Sequence, residues 1–446
     1  MRGNSRRILY LLFLAIFLLL STRLLTSRSH LVPPDTDSGV ITHKRGENAR
    51  IAPAYAPGVY MAGRRPANST FCGWNYGLPR KLSFPANTVT RSPQDDGRGA
   101  YRVLPFVIRG GISVRDEKIV QFTLCTHATA DQVYNIVELV RRWEGHVSLA
   151  IFAPGLDAGL AVDLIERACL CEPAMFKVSV HLIFPAGRPP ALSHIYHPEG
   201  DCAASDLQWR ASDTERKQRG MIYPINVARN VARSLAPTSR VLVSDIELLP
   251  SDKLASGFLH MIHGRPPQSA LIFVVPVFEI EENERPPKTK RELMTAVRSG
   301  VAIYFHKYVC AHCQKFPGIT KWMLRPDPGR VKPLVVTKRE YPHHRWEPIF
   351  IGSQEDPLYN EDMSWEGRQD KMVQMLEMCL MNYRLVILDG AFMIHTPGIK
   401  RKPSKLLNKE TSRTFERTQE KRNALIYQSK TNGLLKQYPA NQRCRQ

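Results

Sequence analysis

Apolar positions along the chain follow two alternating rhythms, and the alternation predicts an α/β sheet. The predominantly apolar segments Val120 to Cys125, Val147 to Phe152 and Val178 to Phe184 read as buried strands. Between them, Ala130 to Trp143 carries Val133, Ile136, Val137 and Val140 at helical spacing, and Leu160 to Cys169 reads as a second helix. Pro224 to Ser234 predicts a helix with proline near its first turn, and Arg240 to Val243 and Ala270 to Val277 predict further strands. Ser364 to Leu380 reads as a long amphipathic helix, Leu385 to Leu388 as a strand, and Glu410 to Gln437 as a helical tail. Strands alternating with helices imply a twisted, mostly parallel sheet covered by helices.

The first seventy residues follow neither rhythm. Arg2, Arg6 and Arg7 precede an apolar run from Ile8 to Leu20, which predicts a signal anchor with the rest of the chain in the secretory lumen. The run is short and needs Ser21 to Leu25 and a thin bilayer to span. A cleaved signal peptide shares this layout, although Ser21-Thr22-Arg23-Leu24 is a poor cleavage site. Residues 26–70, rich in proline, serine, glycine and charge, read as a flexible stem. Asn68-Ser69-Thr70 at its end is a glycosylation sequon, leaving 71–446 as the lumenal domain.

The chain has 446 residues and a formal charge of +21, a field that attracts any polyanion. No zinc-finger spacing, RNP-like motif or basic zipper favours nucleic acid among the candidates. Nine cysteines in an oxidising compartment predict disulfides with at least one thiol left over. Cys310-Ala-His-Cys313 has metal-knuckle spacing, but no second pair follows at zinc-ribbon distance, which favours a local disulfide or two separate structural cysteines. Cys125 and Cys379 lie in apolar runs and read as buried free thiols.

The most informative chemistry is Val241-Leu-Val-Ser-Asp245-Ile-Glu247, an apolar strand running into two carboxylates at i and i+2. On extended backbone they project to one side, at the strand end where α/β sheets bind ligands. Hard oxygen ligands there suit Mn²⁺ or Mg²⁺, which would bridge the diphosphate of a nucleotide-sugar. Phe392-Met-Ile-His395 is a second apolar run ending in a ligand type, so His395 is a candidate third ligand.

Seven segments together resemble glycosyltransferase family 49: Thr123 to Thr129, Tyr223 to Asn230, Ser244 to Pro250, Val274 to Glu279, Cys310 to Cys313, Trp346 to Pro348 and Phe392 to His395. They are colinear with the family and cover roughly Phe71 to the C-terminus. The resemblance implies a GT-A type fold behind a Golgi signal anchor, Mn²⁺ as cofactor, and inverting transfer from a UDP-sugar. It further implies UDP-glucuronic acid as donor and a glycan acceptor, with a β-xylose terminus, in protein O-glycosylation. Asp245 matches the first acid of the family's metal motif and His395 its third ligand. Glu247 stands where the family commonly has Asp, one methylene shorter. Thr126 matches the nucleotide-binding turn, a contact for uracil or ribose. Asn226 and Asn230 share a helical face that Arg229 adjoins, and Arg229 would either pair with diphosphate or a donor carboxylate or serve a structural cap or ion pair.

An inverting transfer needs a carboxylate base. Glu366 first and Asp370 second are the candidates, four apart on the expected helix, with Trp365 as a platform for an acceptor sugar. The family departs from this sequence around all three. Two other readings stay open: transfer of xylose or N-acetylglucosamine, and a catalytically silent lectin-like or chaperone subunit suggested by Glu247. A homodimer is compatible with the sequence, though no residue argues for it.

Overall fold

The computed structural model describes residues 70–444, apart from 78, 80–82, 112–119, 192–213, 266–267, 364–368, 397 and 402–409. The expected anchor, the stem, Asn68, Trp365 and Glu366 lie outside the described residues. Among the described residues no helix is long and apolar enough to cross a membrane.

In chain order the strands are β1 (Gly73–Trp74), β2 (Thr90–Arg91), β3 (Tyr101–Arg109), β4 (Val120–Thr129), β5 (Gly145–Phe152), β6 (Val178–Pro185), β7 (Arg240–Asp245) and β8 (Leu248–Pro250). They continue with β9 (Leu271–Val275), β10 (Val277–Ile280), β11 (Ala302–Tyr304), β12 (Lys332–Thr337), β13 (Ile349–Ser353), β14 (Arg384–Asp389) and β15 (Met393–His395). The helices that matter here are α1 (Ile136–Arg142), α2 (Asp157–Cys171), α3 (Ile225–Ser234), α4 (Lys290–Arg298), α5 (Met372–Leu380) and α6 (Glu410–Gln437).

Eleven strands form one sheet in the order β1-β3-β6-β5-β4-β7-β13-β9-β14-β12, with β2 also paired to β3. Its centre, β6-β5-β4-β7, is parallel, and β9 runs parallel to β14. The remaining pairings are antiparallel, so the expectation of a mostly parallel sheet holds only for the centre. β5 is buried at every position, which is why its sequence is mostly apolar and reads as a buried strand. The antiparallel flanks alternate less regularly and carry weaker signals. A second sheet of four strands has the order β11-β10-β15-β8.

Several expected elements change length or split. The expected helix from Ala130 begins as a 3₁₀ segment, Ala130–Asn135, before α1. Pro276, which donates no backbone hydrogen bond, divides the expected strand at Ala270 to Val277 into β9 and β10, in different sheets. The expected helix from Ser364 starts only at Met372, because Gln369 has a left-handed φ of 61° that no α-helix accommodates. Asp370 therefore lies ahead of α5 rather than on it, and the expected pairing with Glu366 falls outside the described residues.

Disulfides join Cys72 to Cys169, Cys310 to Cys313 and Cys379 to Cys444, and Cys171 is also oxidised. Cys125 is a buried free thiol, as expected. Cys379 is not: the chain following α6 returns Cys444 to α5, a long-range approach that local composition cannot reveal.

One buried ion pair locks the second sheet's helix to the large sheet. Lys290 at the start of α4 sets its Nζ 2.6 Å from Asp389 Oδ1 at the end of β14 and 4.1 Å from the Trp322 ring centroid. Both charged side chains are wholly buried. Removing one partner strands the other charge in a medium that cannot solvate it. Lys290→Met is therefore expected to lower unfolding free energy by about 3–5 kcal/mol. A Lys290→Met/Asp389→Leu double variant should recover much of the loss, as read by urea denaturation of the single and double variants.

Candidate active site

Three segments leave the large sheet at the same end and enter the small one. β7 crosses through a turn at Ile246 and Glu247, β9 through Pro276, and β14 through Gly390 to Phe392. Gly390 has a φ of 77°, and a Cβ there would stand 2.3 Å from the Arg330 carbonyl oxygen, so the third crossing requires glycine. The candidate site residues collect along this seam.

His395 ends β15 opposite Leu248, the residue after Glu247. That register places His395 Nε2 3.2 Å from Glu247 Oε2. The other ring nitrogen, Nδ1, lies 3.2 Å from the Gly398 carbonyl oxygen. A carbonyl can only accept, so Nδ1 donates to Gly398 and Nε2 is the ring nitrogen turned toward the carboxylate. At this separation the nitrogen and the oxygen share a proton or hold a cation between them. Neutral imidazole with its second nitrogen anchored to a carbonyl is the usual arrangement of a metal-ligating histidine. Imidazole and carboxylate oxygen also form a suitable donor set for Mn²⁺, so the residues fit a divalent cation. Gln132 Nε2 donates to the other Glu247 oxygen at 3.4 Å.

Asp245 is placed differently. The expectation that residues 245 and 247 project to one side assumed extended backbone, and the turn at 246–247 removes that condition. The donor atoms of Asp245, Glu247 and His395 do not all lie within 4.8 Å of one another. Asp245 instead faces the end of β4, opposite His127 in the parallel register. His127 Nε2 is 3.1 Å from Asp245 Oδ1, near in distance though not aligned as a hydrogen bond, while Nδ1 meets the Tyr223 hydroxyl at 2.7 Å. Arg229 adds a contact of 3.3 Å to the same Asp245 oxygen. Burial works to raise the Asp245 carboxyl, but Lys371, His127 and Arg229 hold it well below the usual carboxylate range. Asp245 is an ionised acid with 31% of its side chain exposed, at the edge of the seam.

Arg229 is the centre of this half of the site. It is buried on α3, with Asp370 Oδ2 2.5 Å from one terminal nitrogen and Asn226 Oδ1 3.0 Å from the same atom. Its guanidinium carbon stands 5.3 Å from the Tyr359 ring centroid. Burial would lower its pKa, yet Asp370 and Asp245 reverse the effect and raise it. Arg229 is thus committed to carboxylates of the chain itself.

The rest of that α3 face anchors a loop. Asn226 Nδ2 donates to the carbonyls of Asn360 and Asp370, at 2.8 and 2.7 Å. Asn230 donates to the Tyr359 carbonyl and to Glu361, and accepts from the Tyr359 N–H. Arg233, one turn further, holds the carbonyls of Gln354, Asp356 and Pro357. Asn226 and Asn230 have no exposed surface, so their amides position the loop rather than touch a substrate. Thr126 is also fully buried, because β4 continues three residues beyond it, and its hydroxyl finds no partner among the described residues. Asp370 is buried against Arg229, which leaves it poorly placed to receive a proton from a substrate.

Four residues at the seam had no assigned role in the sequence. Glu279 follows an apolar run, as His395 does, and that shared signal would have found it, whereas His127, between Thr126 and Ala128 inside β4, gives no such signal. Glu279 lies opposite His395 in the parallel register of β10 and β15; its Oε1 accepts the His306 N–H at 3.1 Å, and burial raises its pKa. Lys371 is buried beside Asp370 and acts electrostatically on Asp245 and His127. The fourth is Glu347, two residues before β13. The metal-knuckle alternative is excluded by oxidation: Cys310, His312 and Cys313 cluster, but both sulfurs are in a disulfide.

The chain is 28% identical to beta-1,4-glucuronyltransferase 1 of Danio rerio over 364 residues, 78% of this chain and 82% of that protein. The identity to the Homo sapiens protein of that name is 25% over 311 residues, 67% of this chain and 72% of the relative. Xylosyl- and glucuronyltransferase LARGE2 of Rattus norvegicus is 25% identical over 62% of this chain and 34% of its own length. Among solved structures, GalNAc-T7 with UDP, GalNAc and Mn²⁺ has a TM-score of 0.36 at 10% identity, over 64% of this chain and 45% of that one. At this score the likeness bears on nothing further. The family model described as "Glycosyl-transferase for dystroglycan" matches residues 121–439, which include every residue of the seam. The chain belongs to this family of glycosyltransferases, glycosyltransferase family 49.

Proposed function

We propose that the protein is a metal-dependent, inverting glucuronyltransferase of GT-A type. It would move glucuronic acid from UDP-glucuronic acid to a glycan ending in β-xylose, within the Golgi lumen behind an N-terminal anchor. The observation that carries the metal assignment is the facing pair of potential ligand atoms, Glu247 Oε2 and His395 Nε2, at 3.2 Å. The longer Glu247 side chain still reaches His395, so the departure from Asp at this position does not by itself favour a silent subunit. The relatives named beta-1,4-glucuronyltransferase 1 support the choice of sugar.

Glu247 and His395 would hold the ion, with Asp245 at its edge. A bound Mn²⁺ would neutralise charge gathering on the departing nucleoside diphosphate. The chain's own residues do the rest. Arg229 and Lys371 hold Asp245 ionised, Gly398 fixes the His395 tautomer, and the polar face of α3 fixes the loop that carries Asp370. The surrounding cations, Lys371 and Lys400 among them, suit an anionic donor.

Two outcomes test this assignment. Full-length protein in detergent, supplied with Mn²⁺ and a panel of UDP-sugars, is expected to turn over UDP-glucuronic acid fastest. A preference for UDP-xylose or UDP-N-acetylglucosamine would redirect the assignment, and no turnover with any donor would end it. His395→Ala is expected to weaken Mn²⁺-dependent UDP binding by more than about 100-fold, since even groups that only support a ligand are worth 10–100-fold. Isothermal titration with UDP at fixed Mn²⁺ reads this directly, and unchanged affinity would remove His395 from the metal site.

A further inference from the structure

We propose that Glu347 is the catalytic base of the transfer, accepting the proton of the acceptor hydroxyl. The inference rests on the transferase activity proposed above and goes beyond it by naming the group that activates the nucleophile.

Position is the first argument. Glu347 precedes β13, the antiparallel strand set between β7 and β9. Ile349 opposes Val275, the last residue before the Pro276 crossing, so the approach to β13 runs at the level of the seam. The backbone there is fixed: Trp346 is buried, and the Glu347 N–H donates to the Cys313 carbonyl at 3.0 Å, within the disulfide-closed turn.

Availability is the second. Asp245, Glu247, Glu361 and Asp370 each have a hydrogen bond or ion pair to another side chain. The half-buried Glu347 carboxylate makes no hydrogen bond and no ion pair among the described residues. The charged groups around it are Asp370 and Lys371 ahead of α5, Arg229 on α3, and Arg339 in the loop after β12. Arg339 is buried, and among the described residues none of its three guanidinium nitrogens has a hydrogen-bond partner. Burial and then the Asp370 carboxylate push Glu347 up to about 7, against the opposing pull of Lys371, Arg229 and Arg339. A base that titrates near working pH combines a useful ionised fraction with basicity enough to take a hydroxyl proton.

The step balances. The acceptor O–H bond gives its proton to Glu347 and its electron pair to the new bond at the anomeric carbon. The bond from that carbon to the diphosphate oxygen breaks, and its electrons leave with UDP. Glu347 then releases the proton to solvent, which its partial exposure permits.

The test compares full-length wild type, Glu347→Gln and Glu347→Asp, with melting temperature and Mn²⁺–UDP affinity as controls. Glu347→Gln is expected to lose about 10²–10⁴-fold in kcat with nucleotide affinity unchanged. The wild-type kcat/KM profile should fall on the acid side with a midpoint near 7, and Glu347→Asp should retain a displaced acid limb. Transfer by Glu347→Gln within a few-fold of wild type overturns the assignment, as does a wild-type profile flat from pH 6 to 8. Should Glu347→Gln fail to melt as wild type does, the Glu347→Asp profile decides, and an unmoved limb overturns it. Wild type active on a different UDP-sugar would correct the donor while leaving this test intact. Wild type inactive with every donor would sink both assignments.

Discussion

A buried arginine organises this protein's functional end. Arg229 is almost wholly removed from water, and a guanidinium so placed costs several kcal/mol unless opposite charge and hydrogen bonds surround it. Asp245 comes from the end of a central strand, and Asp370 from a loop far along the chain. Meeting the needs of one cation therefore draws together α3, β7 and the head of α5. The neighbouring Asn226, Asn230 and Arg233 extend the same logic, binding carbonyls of a loop with no regular structure of its own. Such a loop would otherwise leave buried carbonyls without donors.

The seam between the sheets explains why chemistry gathers where it does. β7, β9 and β14 end at one edge of the large sheet, where parallel strands place their C-terminal residues beside one another. Each crosses by a different device: a tight turn, a proline and a glycine with positive φ. Each crossing brings a polar side chain to a place where the backbone is no longer satisfied by one ladder. Asp245, Glu247, Glu279 and His395 are the products of these crossings.

The sequence made the strands and their polar endings legible, because an apolar run that stops at an acid or histidine marks the edge of a sheet. It did not reveal the direction those endings take. The i, i+2 rule for Asp245 and Glu247 is sound on extended backbone, and two turn residues were enough to send the carboxyls to separate partners. The α3 face was legible as polar and periodic, but not as buried, since burial came from a loop more than a hundred residues away. Glu347 lay within one of the family-like segments, Trp346 to Pro348, but a lone acid before a short strand signals no role, and its distinction is that its carboxylate has no partner among the described residues. Cys379 shows the same limit, its apolar setting being equally compatible with a free thiol and with the disulfide it forms.

These contrasts separate the carboxylates of the site into two kinds. Asp245 is surrounded by Lys371, His127 and Arg229 and stays ionised, which suits a group that must remain negative beside a cation and a diphosphate. Glu347 has the same residue chemistry with burial and a like charge outweighing its cationic neighbours, so its proton is held far more tightly. Lys371 and Arg229 act on both, and Asp370 is the group that tips the balance, neutralising Arg229 on one side while repelling Glu347 on the other. One ion pair thus supports opposite demands: a carboxylate held ionised at Asp245 and a carboxyl with a raised pKa at Glu347. Environment rather than residue type divides the two, as the proposed transfer with a single proton acceptor would require.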